Sequence, residues 1–180
     1  MFKAGVGFFA LFGLAWWAAA VGTFEATAVV LTASVAGVAV SVALMLAAKR
    51  LLPESMGGPP PKEQRRAFGW INLAQWAVIA VVAVVCGRAG VPEYIPALIA
   101  VVVGLHFVPL AAVFGQPQLR VPGGMLMLAG AAGCGIRLAD GSPETMRLVV
   151  GGLAALTLWG TAAWTVVAET RAPATEAETA

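Results

Sequence analysis

Charge is scarce in this chain. Asp, Glu, Lys and Arg together make up 11% of its 180 residues, where a soluble domain carries about a quarter. A soluble fold would have to leave much apolar area in water, at roughly 25 cal/mol per Å². Histidine occurs once, at His106. That excludes an HExxH zinc site and a haem held by two histidines of this chain. The two cysteines, Cys86 and Cys134, do not form a CxxC pair. No phosphate-binding GxxxxGKS/T loop is present, so the chain holds no nucleotide-driven pump of that kind. Gly5-Val6-Gly7 is only a fragment of a glycine fingerprint inside an apolar run. Ser34, Ser41 and Ser142 have no base near them in sequence. Nothing in the sequence supports catalysis, so a membrane enzyme ranks below the non-catalytic readings, and no cofactor, metal or nucleic-acid partner is expected.

Apolar residues are what is abundant. They make up 60% of the chain, and its mean hydropathy is +0.88. They come in charge-free blocks instead of amphipathic stripes. A helix needs about 20 such residues to cross about 30 Å of hydrocarbon. The blocks predict helices over about 4–22, 26–48, 68–87, 94–115, 121–137 and 148–168. In lipid each backbone amide must find its partner within its own segment, which selects helices. A transmembrane barrel would alternate apolar and polar residues over about 10 positions, and these segments do not. The expected fold class is all-α, an integral membrane bundle of six transmembrane helices forming one domain over 1–169. The fifth segment is short and holds five glycines from Gly123 to Gly135, so a re-entrant piece is its alternative.

Positive charge orients the bundle. With the N-terminus inside, eight of the eleven basic residues fall on the inner side: Lys3, Lys49, Arg50, Lys62, Arg65, Arg66, Arg120 and Arg171. Arg88, Arg137 and Arg147 fall outside. The asymmetry obeys the positive-inside rule and places both ends in the cytoplasm. A cleaved signal peptide, with Lys3 and the small residues Ala18 to Ala20, is the competing reading of the first block. Residues 51–67 form the longest inner loop, Pro/Gly-rich and then basic. The basic half can anchor topology or meet anionic headgroups at about 1 kcal/mol per charge. Residues 170–180 predict a disordered tail.

Polar residues inside spans are costly in lipid and point to function. Asn72 and Gln75, three apart, share a helix face. His106 lies at a similar depth on the next helix, three residues before Pro109. The three form a candidate intramembrane polar site. They either bond one another and join two helices, or open to the inner side for a proton, ion or small polar solute. Glu25, Arg137 and Glu144 form a candidate ion pair at the outer edge, with Arg88, Glu93, Asp140 and Arg147 nearby. Three small-residue stripes, Ala33-Gly37-Ser41, Ala129-Gly133 and Ala131-Gly135, predict close helix packing, within the chain or between copies. Trp16, Trp17, Trp70 and Trp164 read as an aromatic belt, and Trp76 and Trp159 as deeper packing residues. Cys86 and Cys134 both fall in the outer half, as free thiols or, if they face each other, as a disulfide.

The segment Gly104-Leu105-His106-Phe107-Val108-Pro109-Leu110-Ala111, with Trp70-Ile71-Asn72-Leu73-Ala74-Gln75 upstream, resembles small multi-pass bacterial membrane proteins of unassigned function. The resemblance covers the third and fourth helices and implies no activity. Arg outnumbers Lys and Ala, Val and Gly abound, which suits a bacterial plasma membrane. Two function classes follow. One is a non-catalytic membrane component acting in assembly, regulation or as a scaffold, with the lipid bilayer and a homo-oligomer or another membrane subunit as partners. The other is a small transporter or channel whose path includes Asn72, Gln75 and His106.

Overall fold

The computed structural model describes residues 3–52 and 61–178, with side chains for 5–52 and 61–171. Among these residues the chain consists of helices joined by turns, without strands. The helices are α1 (Lys3–Val21), α2 (Thr27–Leu51), α3 (Lys62–Arg88), α4 (Ile95–Val113), α5 (Arg120–Leu138) and α6 (Pro143–Glu178). Short 3-10 turns, Pro92–Tyr94 and Pro117–Leu119, lead into α4 and α5. Five helices, α2 to α6, are long and apolar enough to cross a membrane. The apolar stretch of α1, Gly5–Val21, is shorter. The chain is thus a helical membrane protein.

Two boundaries differ most from the sequence expectation, and α6 also starts early, at Pro143 instead of 148. First, α3 starts at Lys62, so the basic half of the 51–67 loop forms the first turns of a helix. Lys, Glu, Gln and Arg are good helix formers, and Glu63 in the first turn suits the helix dipole. The Pro/Gly half, 53–60, lies outside the described residues. Second, α6 continues to Glu178, where the composition predicts disorder from 170. Its Ala and Glu residues favour helix locally. The fifth segment is a full apolar helix.

Three helices end alike. After α3, Gly90 adopts a left-handed φ of 71° and Val91 N–H donates to Cys86 O at 3.0 Å. After α4, Gly115 has φ 61° and Gln116 N–H reaches Ala111 O at 2.8 Å. After α5, Asp140 has φ 57° and Gly141 N–H reaches Ile136 O at 2.8 Å. Each is a Schellman cap, in which a left-handed residue lets the chain cover the last carbonyls. Proline follows within three residues each time, at Pro92, Pro117 and Pro143, and cannot continue the helix. Asp140 is the one of these residues with a side chain to strain. Asp140→Gly is expected to raise stability by about 0.4–1 kcal/mol, read from an unfolding titration in mixed micelles.

The chain packs as two compact units: Met1–Gly58 with Ala155–Ala180, and Pro59–Ala154. In the first, α1 pairs with α2. Trp17 Nε1–H donates to Ala33 O at 2.8 Å. Ser41 Oγ donates to Ala10 O at 3.0 Å, and a Cβ at Gly37 would collide with the Trp17 indole. The Ala33-Gly37-Ser41 stripe is therefore an internal helix contact. In the second unit, α4 lies between α3 and α5. A Cβ at Gly104 would stand 2.5 Å from Gly123 O, and one at Gly123 2.8 Å from Gly104 O. The two backbones touch, which only glycine permits. Gly130 faces Ala97 and Val101, and Gly133 faces Val150. Ala129-Gly133 is thus buried, whereas Ala131 and Gly135 are exposed.

Candidate functional site: a polar seam between the third and fourth helices

One face of α3 meets α4 in the second unit. It carries Gln64, Phe68, Ile71 and Gln75, spaced by four, three and four residues, so they line up along the helix. Gln64 Nε2 donates to Val113 O at 2.7 Å. One turn on, the rings of Phe68 and Phe114 lie 5.8 Å apart. Another turn on, the His106 imidazole approaches the Ile71 backbone carbonyl. The two helices are antiparallel, and His106 sits level with Ile71 and its neighbour Asn72. Gln75 is one turn further along α3, about 6 Å at 1.5 Å per residue. The candidate residues Asn72, Gln75 and His106 are all half-buried along this seam.

The seam is not a closed lock. Among the described residues, the Asn72 and Gln75 side chains make no hydrogen bond, to His106 or to any other group. An amide left unsatisfied in hydrocarbon costs several kcal/mol. The outer face of α3 is apolar and uncovered, with Trp70 62% and Trp76 56% exposed. Trp76 therefore does not pack inward as its depth in the sequence suggests. It falls on the side of α3 away from α4. Trp159 does pack inward: it is 8% exposed, and its Nε1–H donates to Ser41 Oγ at 3.1 Å. Its ring lies 5.6 Å from that of Trp17. The indole, the serine hydroxyl and the Ala10 carbonyl thus form a short relay joining α6, α2 and α1.

At the other end of the second unit, Arg137 forms a clamp. Its Nη2 pairs with Glu93 Oε1 at 3.4 Å, and its Nη1 donates to Gly141 O. Its Nε is buried without a partner among the described residues. The sequence points to Glu25 or Glu144 as the acid; the structure instead supplies Glu93. The reason is local. Glu93 lies in the 3-10 turn that packs against α5, whereas Glu144 is exposed in the first turn of α6. Glu25 is exposed in the turn before α2. Arg137 is in the last turn of α5, where a cation also complements the helix dipole. Arg137→Met leaves the Glu93 carboxylate without its cation, and is expected to cost about 1–2 kcal/mol in the same titration. Glu93→Gln, which keeps a hydrogen-bond acceptor, is expected to cost less.

Ser142 has a structural part. Its Oγ accepts from Thr145 N–H at 3.1 Å and caps α6. Cys86 and Cys134 are both free thiols. Among the described residues, no group of three or more His, Cys, Asp or Glu side chains is placed to hold a metal ion. Sequence reasoning missed Gln64, in the first turn of α3, and named Glu93 only as a neighbour of the candidate ion pair, because it sits in a turn at the edge of an apolar block. No family model, curated protein or solved structure matches the chain.

Proposed function

We propose that this chain is a non-catalytic component of a membrane assembly, seated in a bacterial plasma membrane by six crossings with both ends on the cytoplasmic side. The observation that carries this reading is α3. In the second unit it packs along α4, and it turns Trp70, Leu73, Trp76 and Val81 outward. Asn72 and Gln75 on the same helix have no partner among the described residues. Two amides at membrane depth call for hydrogen bonds from outside the chain. A neighbouring helix, from a second copy or another subunit, would supply them at about 0.6 kcal/mol each. The short loops between the helices leave little for soluble chemistry.

The test is the size of the complex in native nanodiscs prepared directly from membranes. The parent chain is expected in a particle larger than a monomer. Asn72→Leu with Gln75→Leu is expected to return it to monomer with its helicity intact. A parent chain that is monomeric throughout would contradict the reading. The second reading, a polar path for a proton or small solute, draws on His106 sharing the seam with the two amides. It predicts solute or proton flux in proteoliposomes that His106→Ala abolishes.

A further inference from the structure

A cleft of about 500 Å³ opens from the side of the first unit, between α2 and α6. Its floor is Trp17, Gly37 and Trp159, and its walls include Val40, Leu44 and Leu156. Every lining side chain is apolar or an indole. Both indole N–H groups are already spent, Trp17 on Ala33 O and Trp159 on Ser41 Oγ. The cleft therefore offers no donor to a sugar, nucleotide or ion, whose polar groups would be stranded there. It suits hydrocarbon. Glycine makes the room: a Cβ at Gly160, also in the lining, would meet nothing within 4 Å.

Charge then identifies the head. Lys49 and Arg50 occupy the last turn of α2 and are exposed. They follow Leu44 by five and six residues, about 8–9 Å along the helix. Arg171 follows Ala163, another lining residue, by eight residues, about 12 Å. In the six-crossing topology proposed above, on which this step rests, α2 and α6 run the same way. The three cations then stand at one end of the cleft, in the inner headgroup layer, with Glu169 the acid beside them. An apolar trough leading to three cations matches one molecule class, an anionic phospholipid. We propose that the cleft holds an acyl chain of such a lipid, with its phosphate against Lys49, Arg50 and Arg171.

The test is native mass spectrometry of the full chain released from vesicles of equal parts phosphatidylcholine and phosphatidylglycerol. The parent is expected to retain phosphatidylglycerol in preference to phosphatidylcholine. Gly160→Leu places a side chain in the trough and is expected to cut retained lipid at least about tenfold, the equivalent of roughly 1.4 kcal/mol. Its thermal midpoint should not fall, because the new side chain enters open space. Replacing Lys49, Arg50 and Arg171 together with Gln should keep lipid bound but erase the preference for phosphatidylglycerol. Equal lipid retention by Gly160→Leu and the parent would overturn the site. Equal retention of both lipids by the parent would overturn the anionic head, whatever labelling shows of the topology. A lipid-free dimer that Gly160→Leu separates would assign the cleft to a second copy and overturn the lipid.

Discussion

Gly104→Val is expected to unseat α5 from α4. The new Cβ would stand 2.5 Å from Gly123 O and 2.8 Å from Met127 N. Both are backbone atoms, so relief requires the helices to move apart. Separation would also lift Gly130 from Ala97 and Val101, since the two helices pack along most of their length. Overpacking of one methyl group costs about 1–3 kcal/mol. Gly104→Ala is expected in that range, and Gly104→Val above it. The control is Gly69→Ala on α3, where a Cβ meets nothing within 4 Å; its stability should be unchanged or slightly higher, since Ala favours helix over Gly. The measurement is an unfolding titration in mixed micelles followed by far-UV circular dichroism. Equal midpoints for Gly104→Val and Gly69→Ala would refute the close contact.

Trp159→Ala is expected to damage the first unit as severely. The indole is almost fully buried, and large-to-small changes of this kind cost about 3–5 kcal/mol. It also leaves a cavity beside Gly13, whose Cβ position the ring now occupies within 2.6 Å. Trp159→Phe separates the two contributions: it keeps most of the ring volume and removes the N–H that meets Ser41. That change is expected to cost about 0.6–1.7 kcal/mol, the range for interhelical hydrogen bonds in membranes. Hydrogen exchange provides the readout. Amides of α1 and α2 should lose protection in Trp159→Ala while those of α4 and α5 keep theirs. Uniform loss across all helices would show that the two units do not respond separately.

How much of this was legible in the sequence follows from the solvent. In hydrocarbon the backbone must be helical and the side chains apolar, so a charge-free block reads directly as a helix. Blocks over 26–48, 94–115 and 121–137 appear as α2, α4 and α5 with small shifts at their ends. The same solvent hides which face turns inward, because lipid and protein core select the same residues. Ala129-Gly133 and Ala131-Gly135 are equivalent patterns two residues apart, about 200° around the helix. Only packing reveals that the first faces Val150 and the second faces out. Trp76 and Trp159 are likewise alike in sequence and opposite in place. Asn72, Gln75 and His106 stood out because polar atoms are rare in such segments. Their seam follows from antiparallel neighbours, but the lack of a bond between them does not. The Arg137 partner was ambiguous because several acids crowd that end of the molecule, and a 3-10 turn brings Glu93 to it.

Thiol labelling from one side of the membrane tests the central claim most directly. With Cys86 and Cys134 replaced by Ala, single cysteines are placed at Glu63, Gln118 and Arg171, and separately at Glu25, Arg88 and Asp140. Six crossings predict that a membrane-impermeant reagent added to intact cells labels the second set and spares the first until the membrane is opened. Labelling of Arg171→Cys together with Glu25→Cys in intact cells would contradict it.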